Sequence, residues 1–305
     1  MIYTIMEYIT GQVSSSTPKV NPKVKPESYD ISKMSNKMDI DNKPEDVTIS
    51  TITMTCKMNT EFLVENIGKY INLEHDRVVS VKYGNNIIRS LIPKKVINQK
   101  KKKQKKNFYN QVTLKVRTKK DKDINIKLFI NGSIQMTGCK SIESSYEALS
   151  KLFEELRIEK GIIDMKNGKI VDVPFISKPE NLKLDKIEDF NIAMINSNFK
   201  IGFHIDREKL YDLMTSDGID CTYDPLNHAG VIVRYMHTEK PLSIFIFESG
   251  SIVITGVRNC QQIKEAYEYI NKYLLTRYRL IQKNDALTNN TIMEYLNTCN
   301  QEQNS

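Results

Sequence analysis

The sequence predicts an α+β fold in which two copies of one unit share a pseudo-two-fold antiparallel sheet with helices on one face. Three observations lead there. Residues 128–138 (LFINGSIQMTG) recur without a gap as residues 246–256 (IFESGSIVITG), with Phe129/Phe247, Gly132/Gly250, Ser133/Ser251, Ile134/Ile252, Thr137/Thr255 and Gly138/Gly256 identical. Around each copy the patterns follow one order: strand, helix, several strands, long helix. The strands alternate apolar and polar residues, as in a sheet with one buried face and one open face. Two copies are too few for a solenoid, so a single continuous core is expected.

Residues 1–45 mix Ser, Thr, Pro, Lys and Asp with little apolar periodicity and read as a disordered arm. The first repeat is expected over 47–160. Ile52, Met54, Cys56 and Met58 alternate with Thr51, Thr53, Thr55 and Lys57, a half-buried strand. Helix signals begin at Asn59 and Thr60 and run through Leu63 and Ile67. Val112, Leu114 and Val116 line a further strand, and the Phe129 hairpin turns at Gly132. Ser141 then caps a helix with Leu149, Leu152, Phe153 and Leu156 as its apolar stripe.

Residues 161–187, with Gly161, Gly168, Pro174 and Pro179, read as a linker holding one short strand. The second repeat is expected over 188–281. Phe199, Ile201, Phe203 and Ile205 alternate along a strand, and Asp206 caps a helix that stops at Asp217-Gly218. Val231, Val233 and Tyr235 line the next strand, followed by the Phe247 hairpin. Asn259, with Gln262 three residues on, resembles a capping box that opens a helix carrying Ile263, Ala266, Tyr267, Ile270 and Leu274. Residues 284–305 form a polar tail rich in Asn and Gln.

Charge is unevenly placed. The net charge is +8, and residues 94–106 hold eight lysines and no acid, so the remainder sums to 8 − 8 = 0. Such a tract suits phosphate backbones or a nuclear import receptor; the alternative is a solvated loop without a specific partner. Five scattered cysteines without a C-x-x-C pair read as reduced thiols, and four histidines show no metal-binding spacing. No apolar run approaches membrane-spanning length.

The face without helices should hold the chemistry. In the second hairpin Ile252 and Ile254 point into the core, while Phe247, Ser249, Ser251, Val253 and Thr255 point away. The first copy places Phe129, Asn131, Ser133, Gln135 and Thr137 there. A solvated sheet face would ordinarily show Lys, Glu and Arg. A Phe on a floor of small hydrogen-bonding groups favours a binding surface, the alternative being a cover supplied by another element.

These residues resemble a known family. Tyr223-Asp224-Pro225, then residues 228–234 (HAGVIVR), then the run from Ile246 to Arg258 look like a repeat of the TATA-box-binding protein family. Asn198, followed by an alternating strand and a helix, is similar too, and Thr53, Cys56-Lys57-Met58 and Phe129 through Lys140 form a looser first copy. The resemblance covers about 47–281, and the composition is most similar to members carried by large DNA viruses.

It implies a curved saddle whose concave sheet sits on the minor groove of DNA, with no cofactor and no catalysis. It implies one pair of wedges per repeat, Phe247 with His228 and Phe129 with Tyr109. Asn198 and Thr53 take the place of a base-contacting Asn, Val253 and Gln135 that of a Val, with Ser249, Thr255 and Thr137 on the same floor. Arg234 and Lys115 fall at a backbone-contacting basic position, and Arg258 and Lys140 are further candidates for such contact. A Val/Thr/Ser floor suits the acceptor-only A·T minor groove, whereas the guanine amine would meet Val253 badly.

The expected role is a general transcription initiation factor, monomeric on A·T-rich promoter DNA. Its expected partners are a IIB-like factor and RNA polymerase, in a nucleus or viral replication compartment and away from membranes. Two other classes fit parts of the sequence. One is the substrate-binding saddle of a nucleic-acid-processing system, for which no stretch outside 47–281 is long or apolar enough to supply a catalytic domain. The other is a helix-grip fold, which would need a deep cavity for a small apolar ligand.

Overall fold

The structure, a computed structural model, describes residues 42–93, 108–118, 123–166, 168–236 and 240–283. The arm up to residue 41, the Lys-rich tract at 94–106 and the tail from 284 lie outside the described residues.

The first half builds β1 (Thr48–Lys57), α1 (Val64–Tyr70), β2 (Val78–Tyr83), β3 (Ile87–Ser90), β4 (Gln111–Arg117), β5 (Asp123–Phe129), β6 (Ser133–Cys139) and α2 (Ile142–Leu156). A connecting hairpin follows, β7 (Lys160–Ile163) with β8 (Ile170–Val173). The second half builds β9 (Glu188–Lys200), α3 (Arg207–Ser216), β10 (Cys221–Thr222), β11 (Gly230–Met236), β12 (Pro241–Phe247), β13 (Ser251–Val257), α4 (Cys260–Thr276) and the short α5 (Tyr278–Ile281). Eleven strands make one antiparallel sheet in the order β10-β11-β12-β13-β9-β1-β6-β5-β4-β2-β3. Outward from the central pair β9 and β1, each half repeats the other: β13, β12, β11, β10 on one side and β6, β5, β4, β2 on the other. That is the pseudo-two-fold the duplication predicts.

Strand alternation decides which face is buried. Ile124, Ile126 and Leu128 on β5, and Leu242, Ile244 and Ile246 on β12, are buried, while their neighbours remain half-exposed. The stripes of α2 and α4 close over that apolar face, and a single core cluster runs through both halves.

Each hairpin turn is tied to the strand that passes its end. The amide of Met58 donates to the Gly132 carbonyl at 2.9 Å, and that of Ile201 to the Gly250 carbonyl at 3.0 Å. Gly132 and Gly250 have φ of +84° and +72°. A Cβ at Gly132 would run into the Met58 carbonyl, and one at Gly250 would lie 2.5 Å from the Phe203 carbonyl. Only glycine satisfies both the turn and this approach.

Four local expectations differ from the structure. β9 begins at Glu188 and leaves the ladder after Lys200, so residues 201–205 are not its continuation. There the chain bonds to the hairpin end, with the Ile205 amide donating to the Glu248 carbonyl at 2.8 Å. α1 starts at Val64 rather than near Thr60, because residues 60–63 pair with the connecting segment instead: Leu63 donates to the Phe175 carbonyl at 2.9 Å, and Thr60 Oγ1 accepts from the Lys178 amide at 3.0 Å. The connecting segment carries two strands, not one, and buries Phe175, Ile176, Leu182 and Leu184. At α4, Asn259 Oδ1 accepts from the Gln262 amide at 2.9 Å, but Gln262 Oε1 returns to the amide of Arg258, at 2.7 Å, one residue before the capping-box position.

Candidate nucleic-acid interface

The open face takes its character from side chains that alternate with the core. Phe129, Ser133, Gln135 and Thr137 in the first half, and Phe247, Ser251, Val253 and Thr255 in the second, are half-buried on it. Asn131 and Ser249 stand exposed at the two turns, each satisfying its own hairpin: Asn131 Oδ1 accepts from the Ser133 amide at 3.1 Å, and Ser249 Oγ donates to Ser251 Oγ at 3.0 Å.

In the second half three rings gather. The His228 centroid lies 5.1 Å from that of Phe245 and 5.9 Å from that of Phe247. A turn places His228: its amide donates to the Asp224 carbonyl at 2.8 Å, and Asp224 Oδ1 accepts from the Leu226 amide at 3.1 Å. The Asn227 side chain bonded to Asp224 holds that carboxyl below the usual range. His228 Nδ1 lies 3.1 Å from the Gly230 amide and 3.2 Å from the Gly230 carbonyl, so the ring is tied to the start of β11. Glycine at 230 also makes room, since a Cβ there would sit 3.0 Å from the Ile246 carbonyl and 3.2 Å from the Phe247 ring.

A brace joins this turn to the hairpin. From the start of α3, the Arg207 guanidinium donates to the Ala229 carbonyl at 2.5 Å and to Glu248 Oε2 at 2.6 Å. Lys283 Nζ donates to the other Glu248 oxygen at 2.6 Å. Lys283 and then Arg207 hold the Glu248 carboxyl below its ordinary value.

At the centre of the sheet Asn198 is exposed, and its side-chain amide makes no hydrogen bond among the described residues. Its first-half counterpart is Thr55, not Thr53. Asn198 pairs with Val253 as Thr55 pairs with Gln135, whereas Thr53 pairs with Thr137 and is 5% exposed. The counterpart of Thr53 is Asn196, whose Oδ1 accepts from Thr255 Oγ1 at 2.5 Å.

The first half is arranged differently. Tyr109 is 57% exposed, its ring centroid 5.9 Å from that of Tyr83 and its edge against Gly84. Phe108 beside it is 56% exposed. Across the strand from Phe129 stands Gln111, where the second half has Gly230 opposite Phe247. Lys115 lies on β4 and Arg234 on β11, both on the open face. Lys140 bonds the Ser50 carbonyl, and Arg258 is exposed after β13.

Sequence reasoning passed over Phe245, Asn196 and Lys127, all on this face. The signal for Phe245 was its place two residues before Phe247, and for Lys127 its place two before Phe129, the spacing of a shared strand face.

Burial pushes the Cys56 and Cys139 thiols up to about 12, values that suit packing rather than reactivity. Among the described residues no group of three His, Cys, Asp or Glu side chains is placed to hold a metal, and no helix is long and apolar enough to cross a membrane. A cleft of about 400 Å³ is lined by Asn59, Asn181, Asp185, Lys186, Ile187 and Glu188, a polar set unsuited to an apolar ligand.

One sheet made by two like halves, helices on one side and an aromatic-bearing open face on the other, defines a two-repeat platform. The family model for transcription factor TFIID (or TATA-binding protein, TBP) matches residues 189–276. A TATA-box-binding protein-like protein of Acanthamoeba polyphaga mimivirus is 38% identical over 255 residues, 77% of this chain and 67% of that one. The TATA-box-binding protein of Pyrococcus horikoshii is 27% identical over 168 residues, 54% of this chain and 72% of its own length. A solved structure, Methanococcus jannaschii TBP, aligns over 74% of this chain and 95% of that one at 18% identity, with a TM-score of 0.44. The chain belongs to the TATA-box-binding protein family of transcription factors.

Proposed function

We propose that the chain is a transcription initiation factor that binds A·T-rich promoter DNA through the minor groove and bends it. The observation that carries this reading is the ring cluster His228, Phe245 and Phe247 on a sheet face with no helix over it among the described residues. Rings so placed lose little by entering a base step, and insertion of apolar side chains from the minor groove kinks the duplex, a mode for which this family is a standing example. Beside them Val253 offers apolar contact and the Asn198 side chain an unspent donor, which suits the acceptors of A·T pairs. The bent promoter would then be the platform for a IIB-like factor and RNA polymerase, with no cofactor required.

Fluorescence transfer between labels at the two ends of a short duplex tests the central claim. The protein is expected to shorten the end-to-end distance of A·T-rich duplexes more than G·C-rich ones. Phe247→Ala should lose most of that bending while its melting temperature stays near that of the parent. Undiminished bending by the folded variant would remove the wedge from the mechanism.

A further inference from the structure

The two halves of the open face share a plan and differ in chemistry. One cross-strand row of the second half runs Thr222, Ile232, Phe245, Val253, Asn198. The equivalent row of the first half runs Lys82, Thr113, Lys127, Gln135, Thr55. Residues paired across antiparallel strands share a face, so these rows are two surfaces meeting a ligand in equivalent places. Where one half has Phe245 the other has Lys127. Where one has Ile232 the other has Thr113.

Resting on the DNA-binding reading, we infer that the two halves divide the work: the second kinks the duplex alone, and the first grips phosphates. Lys127 and Phe245 fix the orientation. An ammonium pushed into a base step would give up its hydration without a counter-charge, whereas the same group at a phosphate is well placed. Lys82, Lys115 and Lys127 take part in no ion pair among the described residues, while the neighbouring Arg117 is held by Asp123 at 3.0 Å. Three lysines on three adjacent strands are therefore available to phosphate; Lys115 has a basic counterpart in Arg234, so Lys82 and Lys127 are the charges that set the halves apart. The wedge geometry is also one-sided. Phe247 lies over Gly230 and beside His228, but the strand position facing Phe129 is filled by Gln111. A kink at one end and a phosphate grip at the other give the complex a direction that a symmetric platform lacks.

The test uses the full-length protein and a set of duplexes, each with a single 2-aminopurine along an A·T-rich site, whose fluorescence rises on unstacking. One position should brighten, towards one end of the site. Phe245→Ala should abolish that rise, with Phe245→Leu as the milder substitute if alanine lowers the melting temperature. Lys127→Ala should keep the rise but lower the slope of log affinity against log salt by about 1. Lys127→Phe should add a second bright position. Two equal rises with the parent protein, or an unchanged salt slope in Lys127→Ala, would overturn the division while leaving DNA binding intact. Failure to bind any duplex would instead refute the DNA reading, and this inference with it.

Discussion

At Asn198 the side-chain amide is exposed and its hydrogen-bonding groups are unspent within the described chain, so substitution separates recognition from folding. Asn198→Ala should reduce discrimination between A·T-rich and G·C-rich duplexes by about 1–3 kcal/mol, the usual worth of a good base-reading pair. Its melting temperature should not move. Equal weakening on both duplexes would place Asn198 outside base reading. Gly230 works through shape. Gly230→Ala puts a methyl group against the Ile246 carbonyl and the Phe247 ring, so the ring must give way. Overpacking of this kind costs about 1–3 kcal/mol. Melting curves should show that loss, and end-labelled duplexes should bend less; full bending would show that the ring does not need its present seat. Much of this site was legible from residue types alone, since Phe129 and Phe247 fall at one place in a visible repeat. The pairing of Asn198 with Thr53 was not. The register across distant strands sets the true counterpart, since Thr55 pairs with Gln135 as Asn198 pairs with Val253, and no local pattern announces that pairing.

Among the elements, the Phe247 hairpin depends on a brace that comes from far along the chain. Glu248 follows β12, Arg207 opens α3 and Lys283 lies beyond α5, so their meeting is a product of the fold, invisible to periodicity. The carboxyl is held below its ordinary value by those two cations. Its stabilising contribution is therefore complete above the ordinary carboxylate range and fades as pH falls through the lowered value. At 39% exposure the side chain is well screened, so the effect should be small. Glu248→Gln should melt slightly lower than the parent at neutral pH and converge with it in acid. A constant difference from about pH 7 to about pH 3 would mean that the charge is not what matters. Elements fixed by their neighbours in sequence were readable. Ser141, Asp206 and Asn259 cap the helices assigned to them, each accepting from an amide three residues on. Elements fixed by distant partners were not, as the late start of α1 against Phe175 shows.

For the molecule as a whole, the decisive asymmetry is electrical. All of the net +8 is accounted for by residues 94–106, which join β3 to β4 in the first half, the half whose open face also presents Lys82, Lys115 and Lys127. A duplex attracted by charge alone would meet that half first, whatever its sequence. Sequence preference would then come from the Val253 and Asn198 floor of the second half. Deleting residues 94–106 should accordingly weaken binding to A·T-rich and G·C-rich duplexes by the same factor. The slope of log affinity against log salt should drop by about 1 for each phosphate that the shortened protein leaves unneutralised. The ratio of the two affinities should stay where it was, and so should the bend angle on the A·T-rich duplex. Titrations at several salt concentrations, run on both duplexes with parent and deletion proteins, give the affinities, their ratio and the slopes, and end-labelled duplexes give the bend. If the deletion erased the A·T preference, the tract would belong to the reading surface. If it left the salt slope untouched, the tract would have no part in holding DNA, and an import receptor would become its better partner.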